Sequence, residues 1–237
     1  METLPIYIPI LFAVTTAFTI YLFYKATGGT RLPLIILFGW MIVQSIIGST
    51  GFYTVTDTLP PRFLLTIAPP VLFIIALFAT RKGRAFIDGL QLKWMTLLHV
   101  IRIPVEIVLL FLFLEKTIPV LMTFEGRNLD VLSGITAPVI YYFVFIKRTW
   151  GRNVLLVWNF ICLGLLINIV AIAIMAAPFP FQQLAFEQPN IAVLYFPYIL
   201  LPAVVVPLVL FSHLVAIRRL MVKSVRATQP YATFAGK

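Results

Sequence analysis

Long apolar runs separated by short breaks of charge, glycine or proline fill this chain from end to end. A helix needs about 20 mostly apolar residues to cross a bilayer. Seven runs approach that length: residues 4–24, 32–53, 63–80, 94–114, 131–146, 154–176 and 192–217. Runs such as LLFLFL and NIVAIAIM lack the period-two alternation of membrane β-strands. The pattern predicts an all-α integral membrane protein, one domain over residues 1–237 with seven transmembrane helices.

Composition sharpens this. Of the 237 residues, 61% are hydrophobic and 11% charged, with a mean hydropathy of +1.03. Soluble domains average about 45–50% apolar and about 25% charged residues, so the charges here are too few to cover a water-exposed surface. The start, METLPIYIPI, has no basic leader and reads as a retained helix rather than a cleaved signal. The single cysteine, Cys162, leaves no intrachain disulfide and reads as a small core residue.

The charges orient the helices. Lys25, Arg31, Arg81, Lys82, Arg84, Lys93, Lys147, Arg148, Arg152, Arg218, Arg219, Lys223, Arg226 and Lys237 fall in the first, third and fifth connections and the tail. These fourteen face only Arg62, Lys116 and Arg127 on the other side. The positive-inside rule then places the N-terminus outside and the C-terminus in the cytoplasm, in a plasma or inner cell membrane. Residues 218–237 read as a short basic cytoplasmic tail. The net charge of +10 is spread over every inner connection, which fits attraction to anionic lipid and gives no nucleic-acid patch. The bilayer is the expected partner.

A weak repeat runs through the chain. FYKATGG at residues 23–29 matches FIKRTWG at 145–151 at four positions, and PPVLFIIALF at 69–78 resembles PAVVVPLVLF at 202–211. This suggests residues 4–80 repeated in parallel as 131–217, with 94–114 as a linker helix. In topology alone, that three-plus-one-plus-three plan resembles the SWEET-type sugar transporters. The Pro-Gln dipeptide of the wider PQ-loop group is absent, and no residue is carried over. The seventh run has no lysine for a retinal Schiff base.

Ionisable groups at membrane depth are candidates for function. At about 100° per residue, His99, Arg102 and Glu106 share one helical face. Arg102 and Glu106, four apart, are placed to neutralise one another, and Pro104 between them predicts a kink or hinge. Gln44 lies thirteen residues after Arg31, Glu106 thirteen after Lys93 and Asn168 sixteen after Arg152, so the three share a level near the midplane. Asn and Gln also serve as plain interhelical glue.

His99 and His213 occupy another shared level, which raises haem b or a metal as a cofactor. No Ser–His pair, carboxylate dyad or phosphate loop is legible, so the sequence leans away from an enzyme. Glu125, Arg127, Asn128 and Asp130 read as a solvated outer loop. The first functional reading is a transporter of a small molecule, or of a proton-coupled solute, with Glu106, Arg102, His99, Gln44 and Asn168 as its polar site. A seven-helix receptor acting through a partner is the second, and a haem or metal protein using His99 and His213 the third.

Overall fold

A computed structural model describes residues 4–228 of the chain, with side chains through residue 222. Its regular elements are all helical, with no strand among the described residues. The elements are α1 (Tyr7–Ala26), α2 (Arg31–Ser49), α3 (Leu64–Ala79), α4 (Arg81–Gly89), α5 (Leu92–Leu98), α6 (Arg102–Leu114), α7 (Val131–Tyr141), α8 (Arg152–Met175) and α9 (Val206–Thr228). A 3-10 turn over His99–Ile101 joins α5 to α6, and π-helical segments extend α7 over Tyr142–Ile146 and precede α9 over Leu201–Val205.

Five segments are long and apolar enough to cross a membrane: Tyr7–Ala26, Arg31–Ser49, Leu92–Leu114, Arg152–Met175 and Leu201–Val222. The third predicted run gives α3, which turns by 94° into α4; taken as one broken span, the pair makes six. The fifth run, Val131–Ile146, is a shorter apolar helix. The last run was misplaced at both ends. Residues Ala192–Leu194 form a 3-10 turn, the helix starts only at Leu201, and the predicted tail is helical from residue 218 to Thr228. The rest of that tail, with Lys237, lies outside the described residues.

Polarity is inverted relative to a soluble protein. Ile35, Ile42, Ile46, Phe73, Ile135 and Ile161 are exposed, whereas His99, Arg102, Glu106, Asn159, Ser212 and His213 are buried. This arrangement is compatible with a membrane protein. The core is built by α1 packed along α5 and α6, and by α8 along α9. Buried Thr15, Thr16 and Thr19 return their hydroxyl protons to the carbonyls of Leu11, Phe12 and Thr15, at 2.8–2.9 Å, so α1 enters the core with no unpaired hydroxyl.

Helix α2 is peripheral, burying only Gln44 and Gly48. One bond that holds it has a clear cause. Pro207 has no N–H to offer the Ala203 carbonyl four residues earlier, and the Trp40 indole N–H donates to that carbonyl at 2.9 Å.

Connections that the sequence assigns to one side also meet one another. The Gln91 N–H donates to Ala26 at 2.8 Å, Arg219 to the Leu90 carbonyl, and Arg218 pairs with Asp88 at 3.6 Å. At the other end Ile191 N–H bonds the Thr117 carbonyl at 3.0 Å and Asn168 the Arg127 carbonyl at 3.0 Å.

The elbow between α3 and α4 is tight. Thr80 caps α4 by accepting from Gly83 N–H at 3.1 Å, and Arg84 donates to the carbonyls of Phe78 and Ala79, the open C-terminus of α3. A Cβ on Gly83 would stand 2.2 Å from the Leu77 carbonyl oxygen, so the turn requires glycine there.

Candidate functional site

The polar site begins with a break in one helix. Pro104 cannot donate to the carbonyl of Val100, and the chain answers with the 3-10 turn over His99–Ile101 just before α6 starts at Arg102. The predicted kink is thus a tightened turn within a span that continues from Leu92 to Leu114. Arg102 and Glu106 follow on one face, each 3% exposed, and His99 is fully buried.

A glycine then admits the partner helix. At Gly134 on α7 an added Cβ would meet the side chain of Ile103 at 2.9 Å and its backbone nitrogen at 3.1 Å. That close approach brings the N-terminal end of α7 over Arg102. Arg102 consequently forms its ion pair with Asp130, not with Glu106. The expected Arg102–Glu106 pair is absent among the described residues. An i,i+4 pair on a helix surface is only a weak attraction, and the carboxylate delivered by the neighbouring helix takes the guanidinium instead.

Glu106 has other partners. One carboxylate oxygen accepts from Phe124 N–H at 2.6 Å, and the other accepts from the Asn128 amide at 2.5 Å. Asn128 in turn accepts from Asp130 N–H at 3.0 Å and donates to the Met122 carbonyl at 3.0 Å. The segment expected to be a solvated loop keeps Glu125 and Arg127 exposed but turns Asn128 and Asp130 inward. Asn128 is buried and Asp130 is only 8% exposed. Glu106 is not the sole acid at the site; Asp130 faces the same space.

The network continues to α8 and α9. Arg102 donates to His213 Nε2 at 2.9 Å, and His213 Nδ1 lies 2.9 Å from Asn159 Oδ1. The Asn159 amide donates to the Leu155 carbonyl at 2.8 Å. Its oxygen must accept from His213, which fixes His213 as the neutral Nδ1–H tautomer with Nε2 accepting from Arg102. His99 stacks on His213, ring centroids 3.9 Å apart and planes 19° from parallel, and neither of its nitrogens has a partner.

This geometry does not suit the haem or metal reading. Two axial ligands must aim nitrogens at one iron from opposite sides. Here the rings lie flat on each other, and His213 uses both nitrogens. No group of three or more His, Cys, Asp or Glu side chains placed to hold a metal occurs among the described residues.

Two further sequence expectations part company with the cluster. Gln44 is buried, but its carboxamide oxygen accepts from Tyr53 OH at 2.7 Å within the α2 hairpin. Asn168 points outward from α8 and donates to Arg127. Neither borders the cleft beside Glu106.

That cleft, about 360 Å³, lies between α3 and α8 with α6 and the start of α9 behind it. Its walls are apolar, among them Ile67, Val71, Ile167 and Val206, and its polar lining is Arg102, Glu106, Asn128, Asp130 and Asn190. At one end Phe63, in the lining, touches Phe179, ring centroids 5.7 Å apart. The sequence missed Asn128, Asp130 and Asn159. A usable signal was the acid two residues beyond Asn128, directly before an apolar run. The family described as "Domain of unknown function (DUF8737)" matches residues 57–221, which include every side chain of this network. No curated protein and no solved structure matches the chain.

Proposed function

The chain belongs to the DUF8737 family, and from that premise we propose that it is a multi-pass membrane transporter of a small, largely apolar molecule with a cationic or hydrogen-bond-donating end. In this reading seven segments cross a plasma or inner membrane, N-terminus outside and C-terminus inside, with α3 and Val131–Ile146 as short spans and α4 lying along the inner interface. The fourteen-to-three distribution of basic residues and the pairing of same-side connections support the orientation.

The observation that carries the function is the cleft between α3 and α8, apolar-walled and floored by buried acids. Its floor holds two carboxyls, Glu106 and Asp130, against one guanidinium. Asp130 is committed to Arg102. Each Glu106 oxygen accepts one bond and keeps a lone pair free for a ligand donor or a proton. A lining drawn mostly from helices rather than connections favours a solute that enters from the lipid over a receptor ligand arriving from the outer water. Glu106 would exchange the ligand's charge for a proton, and the 3-10 turn before Pro104 would be where α6 flexes.

Uptake of a fluorescent lipophilic amine by proteoliposomes under an imposed pH gradient tests this, with empty liposomes as the baseline. Glu106→Gln should lower uptake at least tenfold, and Ala171→Phe, at an exposed position bordering the cleft, should do the same without touching a polar group. Because Arg102 keeps Asp130, Glu106→Gln should destabilise by only about 1–2 kcal/mol. Undiminished uptake in both variants would sink the proposal.

A further inference from the structure

A second cleft, about 670 Å³, opens on the other side of α3, between it and α2, with α9 behind. It is lined by apolar side chains, among them Ile36, Trp40, Phe73 and Phe211, and it runs to Lys82 on α4. Its shape is that of a long apolar slot with a positive charge at one end. Helix α4 leaves α3 at 94° and turns Ile87 and Gly83 toward the protein. Arg81 and Lys82 are exposed on it, and Arg31, also exposed, begins α2. The acid of α4, Asp88, is paired with Arg218, and Arg84 is spent on the α3 carbonyls. Lys82, in the lining, and its chain neighbour Arg81 are therefore left with no ion pair among the described residues.

We propose that this groove is a binding site for an anionic phospholipid of the inner leaflet. One acyl chain lies along Ile36, Trp40 and Phe73, and the phosphate meets Lys82 and Arg81. Charge complementarity selects the occupant. A lipid tail matches the apolar walls, while a zwitterionic headgroup would gain little from two cations, each worth about fivefold in affinity for an anionic surface. The site shares no polar residue with the acid-floored cleft. It rests on α4 lying at the inner interface and not on any transport activity, so the two proposals can fail separately.

Brominated lipids quench tryptophan at contact, and Trp40 lines the groove. The protein is reconstituted in phosphatidylcholine vesicles with increasing fractions of brominated phosphatidylglycerol or brominated phosphatidylcholine. The Trp40 contribution is taken as the difference between wild type and Trp40→Phe. Trp40 should be quenched at a several-fold lower fraction of the anionic lipid. Lys82→Ala should shift the anionic curve about fivefold toward the zwitterionic one. Ala76→Phe, at an exposed position on the groove wall, should weaken both. Equal curves for the two lipids in the wild type would overturn the proposal. So would an anionic preference that survives both Lys82→Ala and Arg81→Ala, or no Trp40 quenching by either lipid, which would mean that protein covers the groove.

Discussion

The two clefts share a wall and little else. Helix α3 gives Ile67 and Val71 to one and Pro69, Pro70 and Phe73 to the other, and Pro207 of α9 borders both. The first is floored by buried, hydrogen-bonded acids; the second has no acid in its lining and ends in a lysine at the rim. Burying a charge is tolerated only with partners, so the first had to be assembled from four elements at once. A rim charge stays hydrated and needs only a helix turned along the interface. The first cleft is therefore a structure of the protein's own making, and the second, as proposed, is a shape that lipid completes.

Removing the charge that balances the first floor should separate them most strongly. Asp130→Ala leaves Arg102 buried without its ion-pair partner and should destabilise the protein by about 3–5 kcal/mol, read as a lower melting temperature in detergent. The lipid groove should keep its anionic preference in whatever fraction remains folded. Gly83→Ala attacks the other side. Its Cβ would collide with the Leu77 carbonyl, forcing the elbow open at about 1–3 kcal/mol. Trp40 quenching by anionic lipid should fall while amine uptake changes less. Trp40→Phe is the mildest. It removes the indole bond to the Ala203 carbonyl for about 1 kcal/mol and should loosen α2 alone, seen as faster hydrogen exchange in residues 31–49.

The helical plan was legible because apolar length is a one-dimensional property of the chain. The burial of His99, Arg102 and Glu106 was legible too, since their spacing fixes a common face. Their partners were not. Spacing along one helix cannot report that Gly134 lets α7 come within contact of Ile103, and that approach decides which acid Arg102 meets. Counting residues from the inner charges gave heights for Gln44 and Asn168 but no azimuth, and both turn away from the cleft. The inward turn of Asn128 and Asp130 depends on Glu106 accepting Phe124 N–H and Asn128, a long-range pairing between a helix and a loop that reads as polar.

The length of α3 carries one more implication. Its 16 residues span about 24 Å at 1.5 Å per residue, and the elbow at Thr80 denies it any extension. The hydrocarbon core of a bilayer is about 30 Å thick. Val131–Ile146 is short as well. If both cross the bilayer as proposed, the lipid beside them thins or their flanking side chains snorkel, at a cost that grows with each ångström of mismatch. On that reading bilayer thickness becomes a thermodynamic variable of this protein, one that favours thinner membranes and the company of shorter-chain lipids.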